Sequence, residues 1–285
     1  MPFFFYGHSI DPHVPYRPNK QFLPVYDSDP YEGVVSFARD YALLEKIKSG
    51  KIKLRARDKR RLEALYDAEI SYHDVHFASI LRALEQRDLS KDTLVVVTAD
   101  HGEEFWDHGS VGHGHNVYEE LLNIPTIMHL PGVTEGGRRV ASSAGLVDVM
   151  PTVLDAIDEE QPGGLSGRSL LPELLGKRND APPVAISGFM NGWRTVVVDG
   201  MKLIQRTEKR MYVHDLDADP DEQSDVAAQR PLTLRYLRGQ LGLALAQSRP
   251  HARTKKRRHK KQTTTIDAET EAQLRALGYV GASRR

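Results

Sequence analysis

The sequence predicts an α/β protein: a sheet flanked by helices over most of the chain, then a small antiparallel sheet with one helix at the C-terminal end. Three stretches carry that expectation. Thr93-Leu94-Val95-Val96-Val97-Thr98 is an uninterrupted, β-branched run, the pattern of a strand covered on both faces. Arg61 to Gln86 repeats apolar residues mostly at spacings of three and four, through Leu62, Leu65, Tyr66, Ile70, Phe77, Ile80, Leu81 and Leu84, and predicts a long helix with one side on the sheet. Trp193 to Val198 and Met201 to Gln205 are joined by Asp199-Gly200, a pair that accepts the positive φ angles of a type I′ turn, so they predict a hairpin.

The remaining elements follow in chain order. Residues 1–26 read as a strand through Phe3-Phe4-Phe5-Tyr6 and a loop punctuated by prolines, and Tyr31 to Lys48 as a polar helical passage. Ile124-Pro125-Thr126-Ile127-Met128-His129-Leu130 reads as a strand stopped by Pro131-Gly132, and Val147 to Ile157 as a helix. Residues 163–183, rich in Gly and Pro, read as a loop at a boundary. Beyond the hairpin, Tyr212 to Leu216 reads as a short strand and Pro231 to Ala246 as a helix. The expected division is a main α/β unit over 1–180, a small α+β unit over 181–248, and a basic connection with a short terminal helix over 249–285.

Composition narrows the function classes. A chain of 285 residues with 40% hydrophobic content can bury a substantial core. The formal net charge is zero, so no global field argues for nucleic acid or membrane binding. There is no cysteine, which excludes disulfides and catalytic thiols without fixing the compartment. No apolar run approaches the roughly 20 residues of a membrane span. Pro-Phe-Phe-Phe-Tyr at the start is too short for a signal-peptide core and lacks basic residues before it, so the expected location is cytoplasmic if Met1 is the true start and exported if a preceding leader exists. Lys255-Lys256-Arg257-Arg258-His259-Lys260-Lys261 could bind phosphate backbones or sulfated glycans, but no aromatic residue interleaves it, so the preferred reading is a solvated connection.

The chemistry concentrates where the Thr93–Thr98 strand stops. Asp100 and His101 stand at its C-terminal edge, the position where α/β proteins place ligand-binding groups. A carboxylate oxygen and a neutral imidazole nitrogen both hold divalent cations. Glu103, Glu104, Asp107, His108, His113 and His115 follow within one loop. His73 and His76, three apart on the long helix, read as packing residues, because no acidic partner follows at ligand spacing.

TADHGEE followed by GHGHNVYEELLNIP resembles the second metal-binding segment of the sulfatase family within the alkaline phosphatase superfamily. Asp11-Pro12-His13-Val14-Pro15-Tyr16 resembles that family's substrate loop. Leu146 to Leu154 with Leu165 to Pro172, Tyr212 to Glu222, and Leu274 to Val280 resemble its later segments in the family order. The resemblance implies an alkaline-phosphatase-like central sheet of which the early strands are missing here. It implies Asp100 and His101 as ligands of a divalent metal, Ca²⁺ first, with Mn²⁺ or Zn²⁺ as alternatives. It implies His13 and His113 as the groups that face a sulfate ester, with Glu103, His108 and His115 in supporting positions.

One part of the pattern is absent. Such sulfatases use a formylglycine made from Cys or Ser in a Cys/Ser-x-Pro-x-Arg motif. Here only Ser28-Asp29-Pro30-Tyr31-Glu32 and Ser248-Arg249-Pro250-His251-Ala252 have the serine–proline spacing, and neither has the arginine. No nucleophile is therefore expected in this chain, nor the paired aspartates that complete the metal site. The expectation is a truncated or split sulfatase: a fragment from a misplaced start codon, the product of a split gene whose separate partner chain supplies the N-terminal half and its nucleophile, or a decayed copy. The alternatives are a non-catalytic remnant that binds anions or a partner, or part of a related phosphodiesterase or phosphonate hydrolase.

Overall fold

The computed structural model describes residues 2–37, 42–134, 136–189 and 192–247; the basic run at 255–261 and the expected terminal helix at 269–277 lie outside them. The first helices are α1 (Leu23–Tyr26), α2 (Leu43–Lys48) and α3 (Ala56–Glu85). Asp58 closes the N-terminal end of α3: its buried carboxylate accepts the Arg55 backbone N–H at 2.9 Å and the Tyr31 hydroxyl at 2.7 Å. The Arg55 guanidinium 3.1 Å away holds that carboxyl down to about 2. Asp27 ties α1 to α3 by accepting two bonds from Arg57, both 2.8 Å, and one from Arg61 at 2.9 Å.

Next come β1 (Val95–Thr98), β2 (Glu104–Phe105), β3 (Val111–Gly112), α4 (Glu119–Leu122) and β4 (Thr126–His129). β1 and β4 pair antiparallel from Val95↔His129 to Thr98↔Thr126, and β2 and β3 form a short hairpin. α5 (Val149–Ala156) and α6 (Leu171–Leu174) follow. The buried Asp148 carboxylate accepts the Gly145 and Arg168 backbone N–H groups, each at 2.8 Å, and so fastens the 165–170 loop to the start of α5.

The C-terminal sheet contains β5 (Val184–Phe189), β6 (Trp193–Val198), β7 (Met201–Thr207) and β8 (Arg210–Asp215) in that spatial order, each antiparallel to its neighbour. Asp199 (φ 48°) and Gly200 (φ 72°) make the expected turn between β6 and β7. α7 (Pro231–Gln247) lies on one face, where Leu237 and Leu241 close a core with Val196, Val198, Leu203 and Val213.

A second core positions the candidate site. It joins Tyr16, Phe37, Leu43, Leu44, Leu62, Leu65 and Val111, with Tyr66 and Phe105 packed against it. Tyr16 lies three residues after His13 and Val111 two before His113, so one apolar cluster anchors both loops.

Four expectations change. Phe3–Tyr6 forms no strand and is exposed, Phe4 at 83%, because no neighbouring strand among the described residues pairs with it. Among the described residues of the passage from Tyr31 to Lys48 the only helix is α2; Gly33 instead sits under the Tyr31 ring, where a Cβ would come within 2.3 Å of it, and the Tyr31 hydroxyl accepts the Val35 N–H at 3.0 Å. β1 is only partly buried, and its antiparallel partner β4 exposes Ile127 at 64%, so the doubly covered strand read from 93–98 is not enclosed by the described residues. Directly after the boundary loop of 163–183 stands a strand that the sequence reading did not mark: β5 begins at Val184, an edge strand that the preceding prolines conceal.

Candidate functional site

Asp100 and His101 occupy the turn directly after β1. The Asp100 carboxylate accepts the His101 backbone N–H at 3.1 Å and is 57% exposed at the side chain. His101 Nδ1 lies 2.9 Å from the Gly102 carbonyl, so it carries the proton and Nε2 keeps its lone pair, 3.9 Å from Asp100 Oδ2. Gly102 must be glycine: a Cβ there would stand 2.1 Å from the Glu120 carbonyl oxygen. Its N–H donates to the Leu121 carbonyl at 2.9 Å, which straps the turn to α4.

His13 and His113 converge on the same place. The His13–His113 ring centroids are 4.8 Å apart, His101–His113 4.3 Å and His13–His101 6.5 Å. His13 donates Nδ1–H to the Val14 carbonyl at 2.7 Å, and His113 directs Nδ1 at both oxygens of Glu103, 3.1 and 3.2 Å away. Glu103 is 3% exposed, so its carboxylate backs His113 from inside the protein. Burial, with the His113 imidazole beside it, pushes the His13 pKa down.

The other two histidines turn elsewhere. His108 Nδ1 is 3.0 Å from Glu120, and its ring stacks on Tyr118 with centroids 3.5 Å apart. His115 donates Nε2–H to Glu104, away from the three-histidine cluster. His73 bonds Ser9 and His76 packs edge-on to Tyr72, so both work on the α3 surface.

Several organising groups had no role assigned to them from the sequence. Glu104 is fully buried and accepts the His108 N–H at 3.1 Å, the Ser110 N–H at 2.7 Å and the Asn116 amide at 2.9 Å, which shapes the loop between β2 and His115. Glu69, in the middle of α3, accepts the Arg17 N–H and so holds the far end of the His13 loop; burial raises its pKa to about 8. A buried acid within an apolar helical stripe was the available signal. Burial, then the adjacent Glu103, raises the Tyr16 hydroxyl well above its usual range.

The matching family model is Sulfatase, over residues 1–159, more than half of the chain. The chain belongs to the sulfatase family. Arylsulfatase K of Gallus gallus is 32% identical over 193 residues, covering 62% of this chain and 36% of that protein. Delta 4,5-hexuronate-2-O-sulfatase of Bacteroides thetaiotaomicron is 28% identical over 151 residues, covering 52% of this chain and 31% of that protein. The chain thus spans about a third of the length of these relatives. Among solved structures, a phosphonate monoester hydrolase from Silicibacter pomeroyi superposes with a TM-score of 0.64 at 22% identity, over 82% of this chain and 50% of that one, a likeness of fold. The mixed α/β fold with its small C-terminal antiparallel sheet agrees with the expected architecture.

A divalent cation takes hard oxygens and imidazole nitrogens. Asp100 offers an exposed hard oxygen and His101 a lone pair on Nε2, both suitable. Among the described residues no three His, Asp, Glu or Cys side chains stand at the spacing of a shared ion. These two residues therefore fit as contributors to a cation site and do not complete one. No helix among the described residues is long and apolar enough to cross a membrane.

Proposed function

We propose that this chain is the part of a sulfate-ester hydrolase that carries one side of the reaction centre: Asp100 and His101 toward a divalent cation, His13 and His113 toward the sulfate. The observation that supports it most directly is the convergence of the three imidazoles, within 4.3–6.5 Å of one another, beside the Asp100 turn in a sulfatase-family chain.

Within that reading each residue has a task its contacts suit. Val14 and Glu103 fix the tautomers of His13 and His113 with the proton on Nδ1, so each Nε2 can hold a second proton and donate it to a sulfate or leaving-group oxygen. Asp100 and His101 would hold the cation, calcium first, whose positive charge offsets that of the sulfate oxygens when bound. The close approach of the Glu120 carbonyl at Gly102 keeps the pair at the edge of β1. The nucleophile, a formylglycine by family, and the remaining cation ligands come from a polypeptide outside these 285 residues. The exposed Phe3–Tyr6 segment and Ile127 of β4 suit it as docking surface.

The test is hydrolysis of an aryl sulfate with calcium, by this chain alone and after co-expression with a sulfatase N-terminal half carrying the Cys-x-Pro-x-Arg motif. Activity in the pair, lost on His113→Ala, is the expected result. Turnover by this chain alone would overturn the assignment of the nucleophile to another polypeptide. Turnover of a phosphonate monoester and not of the sulfate would move the substrate to the phosphonate hydrolases.

A further inference from the structure

The C-terminal sheet has a second face, opposite α7. Lys202, Ile204, Thr195 and His214 share it by strand alternation and register, since Lys202 pairs with His214 and Ile204 with Thr195. All four are buried. Lys202 and His214 on this face reach the site-bearing part of the chain through Glu119 and Tyr118. The Lys202 ammonium, 0% exposed, donates to Glu119 at 2.7 Å and to Glu222 Oε2 at 3.1 Å, with Glu222 Oε1 3.0 Å away. Glu222 in turn accepts the Glu119 backbone N–H at 2.6 Å. Glu119 is the first residue of α4. Beside this triad Tyr118, stacked on His108, meets His214 edge-on at 6.1 Å.

The far end of α4 is the strap on the candidate site, because the Leu121 carbonyl accepts the Gly102 N–H at 2.9 Å. Glu120 completes the link: its carboxylate receives His108, and its carbonyl occupies the space that a Cβ on residue 102 would need. We propose that Lys202 is a positioning residue for the Asp100-His101 turn, acting through Glu119 and α4, so that the C-terminal sheet sets the placement of groups it never touches. The physical ground is the cost of leaving an ammonium buried: Lys202 has to keep both carboxylates, and one of them is anchored in the helix that straps the turn. The functional meaning of that placement rests on the sulfatase reading; the mechanical claim does not.

Native-state hydrogen exchange tests it in the folded chain, reading the Gly102 amide against the amides of β7 in one sample. In Glu119→Ala, Lys202 keeps its pair with Glu222, and Gly102 exchange is expected to rise at least tenfold relative to β7. Lys202→Met/Glu222→Met replaces the other two charges with apolar side chains and is expected to give the same local rise. A Gly102-to-β7 ratio unchanged in both variants would overturn the proposal, as would acceleration spread evenly over β7, the sign of general destabilisation. Aryl sulfate hydrolysis by the pair with the N-terminal half separates the two claims: its absence counts against the reading of the site, while the exchange ratio still decides the clamp.

Discussion

The β1–β4 ladder and the β5–β8 sheet are built from equally apolar runs, yet only one of them is enclosed. Val196, Leu203 and Val213 are at 0% exposure under α7, whereas Ile127 of β4 stands at 64%. The difference is what lies on each face: the C-terminal sheet has a helix on one side and the α4 loop on the other, and the ladder has only partial cover among the described residues. A strand's composition gives its appetite for burial; the elements around it decide whether that appetite is met.

Substitutions can sharpen or break this contrast. The largest effect is expected for Lys202→Met alone, which leaves Glu222 buried without its cation and should cost about 3–5 kcal/mol in urea unfolding, most of it regained when Glu222→Met is added. Leu203→Ala should cost about 2–5 kcal/mol, since a fully buried leucine leaves a cavity when truncated. Gly102→Ala forces the Glu120 carbonyl away and is expected to cost about 1–3 kcal/mol, with loss of protection at the strapped amide.

Glu69 gives a pH signature of smaller size. Its folded pKa, about 8, lies above the ordinary glutamate value of 4.5, so the neutral carboxyl stabilises the fold at low pH. That contribution is full below the unfolded value and is lost as pH rises through about 8. Melting curves from pH 5 to 9 should show the loss in the wild type and a flatter profile in Glu69→Gln; parallel profiles would mean that Glu69 is not the group responsible. The smallest change belongs to the ladder: Ile127→Thr should stay within about 0.5 kcal/mol, and a core-sized penalty there would show that β4 is covered in solution and erase the contrast.

Much of the site was legible in the order of residues. A β-branched run that stops at Asp-His announced the turn, and the family motifs named His13 and His113, which the fold brings beside His101. The roles of His108 and His115 were not separable from that of His113 by spacing alone. Their rings are turned by Glu120 and Glu104, whose carboxylates enter the loop from positions that sequence distance does not reveal. The hairpin at Asp199-Gly200 was legible because its turn chemistry is local. Phe3–Tyr6 was misread because a strand exists only with a partner.

The sequence by itself determined the local choices: helix and strand periods, the Asp199-Gly200 turn, and the residue types that suit a cation and an anionic ester. Only the tertiary structure decided which side of each element is inside. In Met201-Lys202-Leu203-Ile204 the alternation puts Lys202 on one face with Ile204 and leaves open what covers it; Lys202 is fully buried between Glu119 and Glu222. A side chain's environment depends on segments far away along the chain, here more than eighty residues in the case of Glu119, and periodicity within one strand holds no information about them.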